Sequence, residues 1–143
     1  MNRTIKIFYL ILLFLITFHF KAIAEPTVVR SKAVENVSGY ATMALTFNND
    51  GTKMYTSSMS AASGAKSDEV YEYDLTTAYN ISTATLRTSL DVGEYTGSTT
   101  NIHGAMQVVF NNDGTKMFIA DHNRNIIEWT LTTPYDIDTA STT

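Results

Sequence analysis

Acidic residues recur at matching places along this chain, and their carboxylates could support metal binding or acid/base chemistry. Asp50 and Asp113 lie 63 residues apart, and Glu72 and Glu128 lie 56 residues apart. One carboxylate per loop falls short of the about six to eight oxygens that calcium prefers, so Asp50 and Asp113 are interpreted as turn formers. Paired carboxylates can act as general acid and base. The repetition of Glu72 and Glu128 instead favours pairing with Lys or Thr across strands.

Three further kinds of residue are candidates for ligand binding. His103, with Asn101 two residues earlier, could bind a metal or a ligand, although a single loop histidine is often incidental. Tyr79 and Tyr135 either stack on sugars or pin the loop after a strand against the neighbouring sheet, and their recurrence favours the second role. The run Asp121-His122-Asn123 fits a tight polar turn better than a metal cluster.

Motifs of the common enzyme classes are absent from the sequence. It has no nucleophile elbow, phosphate-cradling loop or metalloprotease helix. It also has no cysteine, which excludes disulfides and lipid attachment through a thiol. We therefore expect no catalytic residue, no cofactor and no resident metal.

The first 24 residues have the pattern of a secretory signal peptide. Basic Arg3 and Lys6 precede an apolar run, and Ala22-Ile23-Ala24 supplies small residues for cleavage between Ala24 and Glu25. The alternative is an uncleaved anchor, but the run is shorter than the about 20 residues that cross a bilayer. The expected location is therefore the periplasm or the exterior, with membrane contact only during export.

The mature chain is expected to be one acidic domain. Residues 25–143 retain 7 basic and 14 acidic side chains, a formal net charge of 7 − 14 = −7. Such a charge repels a phosphate backbone, so we expect no nucleic-acid partner. A chain of this size suffices for a single domain with its own core.

An internal repeat is the strongest architectural signal. Residues 47–55 return 63 positions later with eight of nine identical, and residues 71–81 return 56 positions later. The drop in offset places seven extra residues in one loop of the first copy. Repeats of this length are typical of stacked structural units.

Each copy contains alternating apolar segments that predict β-strands. Met43, Leu45 and Phe47 alternate with smaller or polar residues, and Asn-Asp-Gly follows at once, which predicts a tight hairpin. Two further strands follow in each copy. A fourth strand is predicted at residues 85–92, and residues 28–34 have a similar character. Phe47, Phe110, Tyr73 and Trp129 are predicted to be core residues.

The repeat resembles the blade of secreted bacterial and phage β-propeller proteins. The resemblance rests on Phe-x-x-Asp-Gly-Thr-Lys-Met-Tyr/Phe followed by Glu-Tyr/Trp-x-Leu-Thr-Thr-x-Tyr, and it spans residues 39–140. It implies an all-β fold with two four-stranded antiparallel blades, at about residues 39–95 and 103–143. Propellers host enzymes, lectins and scaffolds alike, so the resemblance implies a fold and not a reaction.

The chain departs from known propellers in having two blades rather than about four to eight. The second copy reaches residue 143 where its outer strand is expected to start, so the sheet is predicted to be incomplete. Either the chain is part of a larger propeller, which we favour, or two-blade chains assemble into a ring. Open blade edges could then support self-association.

These observations favour an exported binding or interaction scaffold whose partner is a protein or a glycan. The candidate binding residues are Asn101, His103, Tyr79 and Tyr135. The alternative is part of a propeller-type hydrolase or lactonase, with a metal site completed by further blades. Near-identical further blades would favour the scaffold, whereas divergent blades with unique axial His, Asp and Glu would favour the enzyme.

Overall fold

The computed structural model describes residues 28, 30–34, 40–60, 68–93 and 104–141. Within these residues the chain forms two four-stranded antiparallel sheets, each with strands in sequence order. The first sheet contains β1 (Tyr40–Phe47), β2 (Lys53–Ser60), β3 (Glu69–Leu75) and β4 (Ala84–Asp91). The second contains β5 (Ala105–Phe110), β6 (Lys116–Asp121), β7 (Ile126–Leu131) and β8 (Ala140–Ser141).

The two sheets are propeller-like blades that pack against each other without closing into a barrel. Strand β5 lies against β1 and β2, and the 3₁₀ turn at Ile137–Thr139 lies against β4. The sheets are called blade one and blade two below. This confirms the all-β, propeller-like fold predicted from the repeat. In the described residues no helix is both long and apolar enough to cross a membrane.

The same local rules form both blades. Each blade begins with a strand that carries a β-bulge, between Thr42 and Ala44 in blade one and between Ala105 and Gln107 in blade two. These positions are equivalent at the offset of 63. A 3₁₀ turn then precedes each fourth strand, capped by the side chain of Asn80 or of Asp136. The repeat therefore extends to irregular details of the backbone.

Alternation along the strands gives each blade two faces. The leading face carries Met54, Tyr73 and Leu75 in blade one and their equivalents Met117, Trp129 and Leu131 in blade two. The trailing face carries Tyr55, Val70 and Glu72 in blade one and Phe118, Ile126 and Glu128 in blade two. This confirms that Glu72 and Glu128 lie opposite the apolar stripe of their strands.

The main core lies between the trailing face of blade one and the leading face of blade two. Its fully buried members include Tyr55 and Val70 from blade one and Val108, Met117 and Ile119 from blade two. A second core covers the leading face of blade one, and Val34 packs against it. Burial of apolar surface in these two layers supplies the main stabilisation of the fold.

The predicted core residues fall into two groups. Tyr73 and Trp129 are buried as expected, whereas Phe47 and Phe110 are only partly buried and pack at the edges of the two cores. Phe110 still meets blade one, because its ring centroid lies 4.5 Å from that of Tyr55. The strand phase predicted from the alternation is therefore retained.

The outer strands required one correction. The fourth strand of blade two begins at Ala140 and pairs Ala140 with Leu131, so this outer strand starts before residue 143. Among the described residues it contains only Ala140 and Ser141. Residues 28 and 30–34 lie in no strand, although residues 28–34 have a strand-like character in the sequence. Val34 sits beside blade one.

Candidate functional site

The repeated Asp-Gly hairpins are self-contained polar turns. Asp50 Oδ1 accepts hydrogen bonds from Thr52 N at 2.9 Å and from Thr52 Oγ1 at 2.6 Å. Asp113 accepts the same pair from Thr115 at 3.0 and 2.5 Å. These hydrogen bonds lower the pKa of both carboxyls. The geometry supports the turn-forming role rather than calcium binding.

A tyrosine covers the glycine of each hairpin. Gly51 and Gly114 both have a φ of +72°, as predicted for this turn, and a Cβ at either would lie 2.6 Å from Cγ of Tyr79 or Tyr135. Tyr79 Oη donates to Asn49 O at 2.8 Å, and Tyr135 Oη donates to the equivalent carbonyl at 3.0 Å. Each tyrosine therefore pins the hairpin of its own blade, a contact that differs from the predicted one with the neighbouring sheet. Tyr79 remains largely exposed, so its sugar-stacking role stays a prediction.

The other predicted site residues have different outcomes. Asn101, His103 and the cleavage pair Ala24 and Glu25 lie outside the described residues. Asp121 accepts from the backbone N and the side-chain Nδ2 of Asn125, at 2.7 and 2.8 Å. That contact supports a tight polar turn at this position. In the part of the chain that the structure describes, no three His, Asp or Glu residues gather as metal ligands.

A charged network that the sequence reasoning missed joins the two blades. The Arg87 guanidinium of blade one lies 2.8 Å from Glu72 Oε1 and 2.7 Å from Asp138 Oδ2, and it also pairs with Asp136. Lys53 pairs with Glu72 from the other side. Burial disfavours the charge on Arg87, but Glu72 and the two aspartates outweigh it and raise the pKa of the guanidinium.

Backbone groups of blade two complete this contact. Glu72 is fully buried, and its Oε2 accepts a hydrogen bond from Ile137 N at 3.0 Å. Tyr55 Oη donates to Tyr135 O at 2.5 Å, and Asn49 Nδ2 donates to Asn112 O. The trailing face of blade one therefore binds its neighbour through an apolar centre, with hydrogen bonds from or to Glu72, Tyr55 and Asn49 around it.

The trailing face of blade two carries the same types of residue but is open. Ile126 is 78% exposed and Val109 is 39% exposed, and Phe118 lies between them, partly buried. Lys116 Nζ lies 2.5 Å from Glu128 Oε1, and both side chains are about half exposed. This pair repeats the Lys53–Glu72 pair and fits the cross-strand role predicted for the two glutamates. We take this face as the candidate functional site.

A sequence signal for the missed network was present. Position 136 is Asp where its equivalent, position 80, is Asn, and position 138 is Asp where position 82 is Ser. The carboxylates thus appear only in the copy that meets Arg87. Comparing the copies for their differences, and not only for their identities, would have found the interface.

No known protein family, curated protein or solved structure compared with this chain matches it.

Proposed function

We propose that this chain is an exported β-propeller repeat protein that acts by binding, as an interaction scaffold in the periplasm or outside the cell. The observation that carries the proposal is the open trailing face of blade two. Its Phe118, Ile126 and Glu128 occupy the positions that hold a neighbouring blade in the first repeat. Exposed apolar groups that form a contiguous patch are typical of interaction sites.

The chemistry of this face suits a specific partner. An apolar centre of Val109, Phe118 and Ile126 lies beside the Lys116–Glu128 ion pair. Apolar centres with polar surroundings are common at protein interfaces, where the apolar part supplies affinity and the charged part limits the choice of partner. The partner class is a protein or a glycan, and the exposed ring of Tyr79 is the candidate sugar contact. The acidic charge of the mature chain argues against nucleic acid.

Site-directed photo-crosslinking in cells tests the binding role. The full chain would carry a photoreactive amino acid at position 109 on the trailing face, or at the exposed position 76 in the turn after β3 as a control. We expect position 109 to give defined adducts after export and position 76 to give none. Equal labelling at the two positions, or no adduct at position 109, would overturn the binding role of this face. N-terminal sequencing of the exported protein should begin at Glu25.

A further inference from the structure

The contact between the two blades within one chain gives a template for a contact between chains. Blade two places its leading face on the trailing face of blade one, and the polar anchors are Glu72, Tyr55 and Arg87. Blade two presents its own trailing face, with the same strand order and similar apolar residues. Glu128 repeats Glu72, whereas Phe118 and Thr143 stand at the positions equivalent to Tyr55 and Arg87. Because this face repeats the surface that receives blade two, we expect it to bind a surface like the leading face of blade two. The receiving face is called the acceptor surface and the leading face the donor surface.

Blade one carries the matching donor surface. The leading-face residues of blade two that enter the contact have counterparts in blade one at the repeat offsets. Val108 corresponds to Leu45, Met117 to Met54, and Ile137 to Ile81. Leu45 is 57% exposed, whereas Val108 is fully buried against blade one, so this part of the donor surface is accessible in the monomer. Met54 belongs to the second core and is only 2% exposed, so this other part of the donor surface is covered in the monomer.

We propose that the trailing face of blade two binds the leading face of blade one of a second copy of this chain, head to tail. The proposal rests on the proposed binding function and names its partner. The contact uses the faces of the sheets rather than their open strand edges. Because the two surfaces are different, the association is heterologous and either closes into a ring or extends as a chain.

The charges at the two surfaces are compatible with this contact. At the position equivalent to Arg87, blade two has Thr143, and at the positions equivalent to Asp136 and Asp138, blade one has Asn80 and Ser82. The arginine and its two carboxylate partners are thus replaced together, so the contact between chains leaves no unmatched charge from this network. An unmatched buried charge would oppose association strongly.

The buried glutamate of the template also has a counterpart with available partners. Glu128 already pairs with Lys116, as Glu72 pairs with Lys53. Glu72 additionally accepts from Ile137 N, and the equivalent donor on blade one is Ile81 N. In the described part of the chain Ile81 N donates to no acceptor, so it can serve Glu128 of another copy.

Val34 already occupies part of the leading face of blade one that a second copy would contact. It packs against the leading-face cluster of blade one, together with Phe47 and Ile81. A second copy must displace this side chain to reach the covered part of the leading face. We therefore expect Val34→Ser to strengthen self-association, because it weakens the apolar contact that competes for the face.

Two charged substitutions on opposite faces test the proposal. Ile126→Glu alters the trailing face and Leu45→Glu the leading face, and both side chains are largely exposed, so folding should be retained. The exported protein purified after expression of the full chain is studied by light scattering and sedimentation over a range of concentrations. Unmodified protein should associate with increasing concentration, and each variant alone should associate at least tenfold more weakly. Thr76→Glu, in an exposed turn, is the matched control and should associate like the unmodified protein.

A mixture of the two variants distinguishes head-to-tail binding from other modes. Ile126→Glu protein keeps an intact leading face, and Leu45→Glu protein keeps an intact trailing face. Their mixture should form a one-to-one heterodimer and nothing larger. Failure to form it, or a strictly monomeric unmodified protein, would overturn the proposal. Adducts at position 109 to another macromolecule would then still support the binding function, whereas absence of any adduct would refute both.

Discussion

The trailing faces of the two blades carry the same Lys–Glu pair and similar apolar residues in very different surroundings. Glu72 is fully buried and held by Lys53, Arg87 and a backbone N–H, whereas Glu128 is about half exposed and has Lys116. Both glutamates occupy the middle of the third strand with the same register toward β2 or β6. The difference arises because blade two covers the first face and because blade one supplies Arg87, where the equivalent residue of blade two is Thr143.

This comparison distinguishes the contacts that stabilise a single blade from those that join it to the neighbouring blade. The hairpin, its Asp–Thr hydrogen bonds and its tyrosine are the same in both copies, which makes them requirements of the single blade. Arg87 and its aspartate partners occur at one place only and serve the contact between blades. Residues that repeat therefore maintain the unit, and residues that differ specify its assembly.

The largest expected difference lies between the two glutamates. Glu72→Ala removes the partner of two cations and the acceptor of Ile137 N, so it should cost about 3–5 kcal/mol of unfolding free energy. Glu128→Ala removes an exposed pair and should cost less than about 1 kcal/mol. Urea unfolding of both variants measures the difference. Equal costs would show that the contact between the blades does not form in solution.

The hairpin should show the opposite behaviour, with equal effects in the two blades. Gly51→Val and Gly114→Val each force a branched side chain into positive φ and against a tyrosine ring, at a cost of about 2–4 kcal/mol. Thr115→Val is the control, because it loses only hydroxyl hydrogen bonds and should cost about 0.5–1.5 kcal/mol. Thermal melts that rank Thr115→Val with the glycine variants would contradict the turn assignment.

Local chemistry explains how much of this molecule the sequence could predict. Positive φ at Gly51 and the role of Asp50 follow from a few neighbouring residues, and the alternation around Glu72 follows from strand geometry. Arg87 could not be assigned in this way, because its two aspartate partners lie 49 and 51 positions away in the other blade. The exposure of Leu45 could not be predicted either. The alternation of residues along a strand shows which face a side chain lies on, but not whether another element covers that face.

The third expected difference concerns an apolar position of the first strands. Val108→Ala creates a cavity in the core between the blades and should cost about 1.5–2.5 kcal/mol. Leu45→Ala, at the equivalent but exposed position, should change stability by no more than about 0.5–1 kcal/mol. Midpoints of urea unfolding compare the two. A larger loss for Leu45→Ala would show that the leading face of blade one is covered in solution more fully than in the structure.

The smallest expected difference depends on pH and contrasts Tyr55 with its equivalent, Phe118. Burial, followed by the charge of Glu72, raises the pKa of Tyr55, whose hydroxyl donates to Tyr135 O. A raised pKa in the folded state means that the contribution of this tyrosine to stability is complete below its unfolded value of about 10 and is lost as the pH rises above it. Tyr55→Phe should cost about 0.5–1.5 kcal/mol near pH 7.

At alkaline pH the difference in unfolding free energy between the unmodified protein and Tyr55→Phe should become smaller. Only the unmodified protein must keep a buried phenol neutral. Unfolding free energies of both proteins, determined at intervals from pH 7 to 11, measure this difference. Phe118→Tyr is the reciprocal control: it places a hydroxyl on the open face of blade two and should change stability by less than about 0.5 kcal/mol. Parallel pH curves for the unmodified protein and Tyr55→Phe would contradict burial of Tyr55 between the blades, and with it the contact that distinguishes the two faces.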